Sequence, residues 1–225
     1  ASLEHLNWTI RLQKPSVVWK TWLDFLSTHP HLKSLNIVPD QHSIIPGDDS
    51  KEDISPWTFP SIQEIFIEES SSPLSFVTNF TPLLVPSLQT LHFHDPFTPY
   101  TTYTPSTISI FPPHGQTLKI AHILLPCSWE HSPAYHRSSI ENYVSQLSQH
   151  CPNLQELHLS FTERAMTCPL PLNLPPLNIT TLGVELRWHQ FDACFCNQLL
   201  KYGCSWLLRD EFPELRTLRL VSEPN

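Results

Sequence analysis

The 225-residue sequence predicts an α/β solenoid, in which short parallel strands stack side by side and helices or irregular loops return the chain between them. Three observations lead to this prediction. A proline-led apolar phrase recurs along the chain, segments with helical periodicity precede some of its copies, and the composition is that of a globular protein.

The recurring phrase follows the pattern P-x-L-x-x-L-x-L. Five copies carry the proline at the same offset: "HPHLKSLNI", "FPSIQEIFI", "VPSLQTLHF", "CPNLQELHL" and "FPELRTLRL". A copy without the proline starts at Leu3, and a weaker copy starts at Ile179. The last two apolar residues of the phrase lie two positions apart, so both face one side of a short strand. A strand of this kind can bury that side only against its returning segment and its neighbours, so the phrases must stack.

One further copy is needed between Leu88 and Leu154, which lie about two repeat periods apart. The stretch "PHGQTLKIAHILL" supplies it in two registers, with either Ile120 or Ile123 as the last apolar residue, and the sequence leaves both open. With this copy the phrases start roughly 25 to 36 residues apart, slightly above the usual period of leucine-rich repeats. We therefore expect a single leucine-rich repeat domain over residues 1–225, with about eight irregular repeats.

The segments between the phrases predict the other side of the solenoid. Three of them place apolar residues at helical spacing: residues 16–28, 138–150 and 193–208. Ser138 and Glu141 predict a capping box at the start of the second of these helices. Two others are proline-rich and predict irregular surface loops: residues 39–58 and 94–112. Proline before each strand ends the preceding helix and lacks an N–H that the strand does not yet need.

Composition excludes several classes of function. The formal net charge of −8 argues against nucleic acid as a partner, and four glycines cannot build a glycine-rich phosphate loop. No apolar run is long enough for a membrane helix, and the first residues do not form a signal peptide.

We expect an intracellular protein, cytoplasmic or nuclear, that uses no cofactor. We also expect a fragment of a longer chain, because the sequence does not begin with Met.

The repeat pattern resembles that of a known family. "[HCFV]-P-x-L-x-x-L-x-L", with a helix feeding the strand as in "YVSQLSQHCPNLQELHL", resembles the leucine-rich repeat region of F-box-like proteins abundant in basidiomycete fungi. The resemblance covers nearly the whole chain. It implies the substrate-recognition part of a Skp1–cullin–F-box ubiquitin ligase, with a protein target on the concave face. It implies contact with a Skp1-type adaptor only through an F-box absent from this chain, because no "LPxE"-type start is present.

Residues between the apolar positions of the strands face the concave side of a solenoid, where such proteins usually bind partners. Six candidate partner-binding residues follow from this rule: Asn36, Phe66, His92, His94, His158 and Arg219. If the undecided copy takes its later register, His122 falls between His92 and His158. Strands about 4.8 Å apart would then bring three histidines close enough to share a metal or to titrate together near neutral pH. The structural alternative is that histidines simply tolerate a half-exposed strand.

Nothing in the sequence indicates catalysis. No G-x-S-x-G motif is present, and the C-x-C pair Cys194 and Cys196 lacks the spacing of common zinc sites. We therefore predict a protein-interaction module and no enzyme, with no catalytic and no metal-ligating residues assigned. The alternative is a metal- or pH-responsive binding module that uses the histidine ladder. A hydrolase on an irregular α/β framework is less favoured.

Overall fold

The computed structural model describes residues 3–10, 24–39, 57–68, 83–94, 114–125, 133–162, 175–187 and 212–222. In chain order its strands are β1 (His5–Ile10), β2 (Ser34–Pro39), β3 (Trp57–Thr58), β4 (Glu64–Glu68), β5 (Leu83–Leu84), β6 (Thr90–His94), β7 (Ile120–Leu125), β8 (Glu156–Thr162), β9 (Thr181–Arg187) and β10 (Thr217–Ser222). The described part also contains a long helix, α1 (Pro133–His150), and a short helical segment over residues 24–27.

Eight of these strands form one open, parallel sheet in the order β1-β2-β4-β6-β7-β8-β9-β10. Strand order in the sheet follows chain order, so the prediction that the repeated phrases form neighbouring parallel strands is confirmed. The short strands β3 and β5 pair with each other in a separate parallel sheet. This pair has no counterpart among the predicted elements, because two-residue strands are too short to show a periodicity.

The strand register resolves the repeat that the sequence left open. Ala121 lies between Leu91 on β6 and Leu157 on β8, at the position of the second apolar residue of the phrase. Ala121 and Ile123 are each 1 % exposed, whereas His122 between them is half-buried on the opposite face of the sheet. The later register is therefore correct.

One face of the sheet carries the hydrophobic core and is called the core face here. Its buried side chains include Leu35, Ile65, Ile67, Leu91, Phe93, Ala121, Ile123, Leu157, Leu159, Leu182 and Val184. Helix α1 packs on this face through Tyr143, whose ring meets the ring of Phe93 edge-on at a centroid distance of 6.1 Å. Val144 and Leu147 of the same helix are fully buried, as their spacing predicts.

Helix α1 begins at Pro133, five residues before the predicted start, so the expected capping box at Ser138 and Glu141 is wrong. Both residues lie inside the helix. Proline suits the first helical position because its fixed φ is already helical and its missing N–H is not needed there. The apolar periodicity starts only at Ile140, so it could not reveal the first turns. None of the described helices combines the length and the hydropathy that crossing a membrane requires.

A tight turn leads into most strands and explains the repeated proline. The N–H of Leu154 donates to the carbonyl of Cys151 at 3.1 Å, which places Pro152 at the second position of a β-turn. Proline is favoured there because its ring presets the required φ. The same bond closes the turns that end at Leu32, Leu88 and Leu215, and Leu118 closes an equivalent turn without a proline.

Each repeat is tied to the next at the start of its strand. The carbonyl of Gln89 accepts hydrogen bonds from the N–H groups of both Lys119 and Ile120, at 2.8 and 2.9 Å. Six other backbone carbonyls each accept hydrogen bonds from two consecutive N–H groups of the following repeat. They belong to Glu4, Lys33, Gln63, Lys119, Gln155 and Thr180. This continuous ladder fixes the register, and therefore fixes which side chains meet on the other face of the sheet.

Candidate functional site: an aromatic column on the open face

The face of the sheet opposite the core, called the open face here, is lined by residues that alternate with the buried ones. Most of its described side chains between β2 and β8 are half-buried. Its central row, read across the sheet in register, is Asn7, Asn36, Phe66, His92, His122, His158, Gly183 and Arg219. The row contains five of the six predicted partner-binding residues.

Four rings in the middle of this row stack face to face, and we call them the aromatic column: Phe66, His92, His122 and His158. The Phe66 and His92 ring centroids lie 3.8 Å apart with the planes 11° from parallel. His92 and His122 are 4.3 Å apart, and His122 and His158 are 4.2 Å apart with an angle of 5°. The parallel register puts one ring on each strand, so the rings meet at about the strand spacing.

Two glutamates whose side chains also lie on the open face are hydrogen-bonded to histidines of the column. Glu64 Oε1 accepts a hydrogen bond from Nε2 of His92 at 3.2 Å. Glu156 Oε2 accepts one from Nε2 of His158 at 3.3 Å. Because an ionised carboxylate only accepts hydrogen bonds, both imidazoles carry a proton on Nε2. The exposed fractions of the side chains are 27 % for His92 and 17 % for His158, so these pairs are partly shielded from water.

Burial and mutual repulsion keep the middle of the column uncharged. Burial lowers the pKa of His122 to about 3, and the adjacent His92 and His158 rings add to this effect. Burial also lowers the pKa of His92, although the hydrogen bond that His92 donates to Glu64 opposes the change. His122 has no carboxylate among its described contacts and presents a neutral imidazole edge at neutral pH.

The column ends over β9, where Gly183 leaves room for a ring. A Cβ atom at Gly183 would overlap the imidazole of His158, so the ring occupies the space that a side chain would otherwise fill. Arg219 reaches past this position from β10, and its Nη1 lies 3.6 Å from Oε2 of Glu156. Glu156 therefore connects His158 to Arg219, although the two residues lie two strands apart.

The other predicted site residues lie at the edges of this arrangement. Asn36 lies beside Phe66 in register, and its buried Oδ1 accepts no hydrogen bond from the part of the chain that the structure describes. His94 ends β6 in register with Glu68 and Leu124, one row away from the column. Only the backbone of His94 lies within the described part.

Face-to-face stacking is poorly suited to chelation of one metal ion by the three imidazoles. The lone pair of an imidazole nitrogen lies in the ring plane, so parallel rings direct their lone pairs side by side and not toward one point. Within the described ranges, no group of three or more His, Cys, Asp or Glu side chains is arranged to hold a metal ion. The stacked rings cover one another's faces and present their edges, with apolar C–H and hydrogen-bonding nitrogen atoms, which suit a binding face.

The one cysteine described, Cys151, is buried and free. Burial raises the pKa of its thiol to about 12, so it stays neutral and acts as a small apolar residue. Cys194, Cys196 and the remaining cysteines lie outside the described residues.

Three site residues were not assigned from the sequence. Glu64 and Glu156 follow a glutamine in "IQEIFI" and "LQELHL", and this shared dipeptide placed before the second apolar residue was a usable signal. Gly183 is the one residue of its row without a side chain, so a neighbouring ring can lean into the space above it. His122 could be placed only once the register was known.

No family model matches this chain, and no curated protein or solved structure matches it significantly. The resemblance to leucine-rich repeats of F-box-like proteins stays a prediction, and the geometry of the open face carries the functional argument.

Proposed function

We propose that this chain is a protein-interaction module that docks a protein target on the open face of its sheet. The observation that carries the proposal is the aromatic column, four stacked, half-buried rings near the middle of an eight-stranded parallel sheet. Rings at the centre of a surface supply apolar contact area with little loss of conformational entropy on binding. In a leucine-rich repeat arc, this face is the concave one.

The proposal extends to the role that the repeat pattern implies. The chain acts as the target-selecting part of a ubiquitin ligase subunit, and its mechanism is positioning of a target with no bond chemistry of its own. A Skp1-type adaptor binds such a subunit through an F-box outside this chain. The neutral, partly desolvated edge of His122 and the carboxylates of Glu64 and Glu156 supply polar contacts for target selection.

The first step is to sequence the transcript upstream of residue 1 and to look for an F-box there. The second is to test whether a Skp1-type adaptor co-purifies with the full protein. Target binding is then compared for the full protein and for a Phe66→Ala, His158→Ala double variant. We expect the double variant to lose its target and to keep the adaptor. A matched variant on the exposed surface of α1, Gln149→Ala, retains both. If the double variant still binds the target as the parent does, the open face is not the docking surface.

A second candidate function is a pH-responsive binding module, and the stacked histidines favour it over a metal-responsive one. His92 and His158 are each hydrogen-bonded to a carboxylate, whereas His122 lies between two imidazoles. Burial lowers the pKa of His92, so acid is needed to add positive charge beside Glu64, and that charge alters the complementarity of the open face to a partner.

One measurement separates the two candidates. Affinity for the co-purified target is determined at pH 7.5 and at pH 5.5 for the parent protein and for His92→Gln. The pH-responsive module predicts a change of affinity that His92→Gln reduces, whereas a simple docking face predicts similar affinities at both values.

A further inference from the structure

Two carboxylates beside the aromatic column have hydrogen-bonding capacity to spare. Glu64 uses Oε1 for His92, and Glu156 uses Oε2 for His158 and Arg219. Within the described part of the chain, the second oxygen of each carboxylate has no hydrogen-bond partner. The two side chains are 36 % and 29 % exposed. Each carboxylate can therefore accept a further N–H donor from outside the chain.

The central strands of the open face carry no fixed positive charge. The segments "EIFIE", "TLHFH", "IAHILL" and "ELHLSFT" of β4, β6, β7 and β8 contain neither lysine nor arginine. Lys119, in the turn before β7, donates to Oε1 of Gln89 at 3.3 Å. Arg219 shares Glu156, but its side chain is 53 % exposed, and exposed ion pairs of this kind are weak. The centre of the face is therefore complementary to a cationic partner.

The separation of the two carboxylates selects the conformation of that partner. Glu64 and Glu156 occupy one register row, with Thr90 and Ile120 on the two strands between them. Three strand spacings are about 14 Å, and side chains i and i+4 of an extended chain lie on one side about 13.5 Å apart. Side chains on one face of a helix are separated by about 4.5–6, 10.5–12 or 16.5 Å along its axis. An extended segment that crosses the strands fits best.

We propose that the open face binds an extended protein segment with Lys or Arg at positions i and i+4, one cation on Glu64 and the other on Glu156. The side chain at i+2 then lies over the middle of this row, between Thr90 and Ile120, where a small or apolar residue fits. The inference rests on the proposed docking function and adds the chemistry of the partner.

The test uses a short synthetic peptide with lysines at i and i+4 in an alternating Thr and Val background, titrated against the full chain by fluorescence anisotropy. We expect it to bind about tenfold more tightly than a peptide of the same composition with lysines at i and i+3, which project to opposite sides. A peptide with glutamate in place of lysine should show no binding. Glu64→Gln and Glu156→Gln should each weaken binding by about tenfold.

Two further variants complete the test. Glu214→Gln removes an exposed carboxylate in the turn before β10 and should leave peptide affinity unchanged. Arg219→Gln frees Glu156 from its internal cation and should strengthen binding. The inference is overturned if the two lysine spacings bind equally, if neither peptide binds, or if both glutamine variants bind like the parent. If the Phe66→Ala, His158→Ala protein still loses its natural target in that event, the docking function stands and only the cationic partner is wrong.

Discussion

At the scale of single residues, Gly183 determines where the aromatic column can end. The His158 imidazole leans over β9 because position 183 has no side chain, and Glu156, on the same strand as His158, contacts both His158 and Arg219. A glycine in a strand interior normally weakens the strand, since it offers no side chain to pack. Here a ring from the neighbouring strand supplies the missing contact.

We expect Gly183→Ala to destabilise the fold by about 1–3 kcal/mol, because the added methyl group overlaps the His158 ring and forces it or the backbone to move. Urea unfolding of the two proteins measures this cost. The same substitution in a His158→Ala background should cost much less, since the ring that clashes is absent. Equal costs in both backgrounds would show that the two residues are not coupled.

At the scale of elements, the strands β6, β7 and β8 form a unit that responds to acid. His122 is faced by His92 from β6 and by His158 from β8, and its own strand neighbours on the open face are Ile120 and Leu124. Glu64 and Glu156 reach the outer imidazoles, and Arg219 reaches Glu156. The imidazole of His122 therefore contacts two other imidazoles and no carboxylate, so no neighbouring negative charge stabilises its protonated form.

Stability should fall in acid because of this ring. The pKa of His122 is about 3 in the folded chain, below the ordinary value of 6.5, so the unfolded chain binds the proton more strongly. The stability contribution is complete above pH 6.5 and is lost as the pH falls toward about 3. Burial lowers the pKa of His92 in the same direction. The urea midpoint of the parent should therefore drop between pH 7 and pH 4.5.

His122→Phe should reduce that drop, since phenylalanine keeps an aromatic ring in the stack and does not titrate. His31→Gln, at an exposed histidine in the turn before β2, serves as the control and should behave like the parent. Side-chain nitrogen shifts in NMR spectra should show His122 neutral at pH 5. Parallel pH dependences for the parent and His122→Phe would contradict this account.

Elements were predictable to different degrees. The strands of the large sheet followed from apolar residues two positions apart, in five copies after a proline, because every strand must bury one side against its neighbours. The start of α1 at Pro133 was missed, since its first turns carry no apolar stripe. The proline before five of the strands was expected to end a helix, and the structure adds that four of these prolines occupy a β-turn whose last N–H closes on the residue before the proline.

At the scale of the whole molecule, stacking makes the interior repeats more buried than the terminal one. Leu157 on β8 has a strand on each side and is fully buried, whereas Leu218 on β10, the last strand of the sheet, is 38 % exposed. Both occupy the same position in the repeated phrase. Their difference arises from the place of each repeat in the stack.

Alanine substitutions at these two positions should therefore differ strongly. Leu157→Ala should cost about 2–5 kcal/mol because it leaves a cavity in the core. Leu218→Ala should cost under about 1 kcal/mol, since much of that side chain already contacts solvent. The free energy of unfolding in urea measures both, and similar costs would contradict a core that is concentrated in the interior repeats.

The sequence by itself determined the strands, their parallel order and the half-exposed residues between their apolar positions, because these depend on a local alternation that repeats along the chain. It named Phe66, His92 and His158 as residues of one row. Only the tertiary structure placed His122 among them and joined Glu64 and Glu156 to the column. The reason is physical: register is fixed by backbone hydrogen bonds between repeats, such as those from Lys119 and Ile120 to Gln89, and a contact between distant repeats exists only once that register is set.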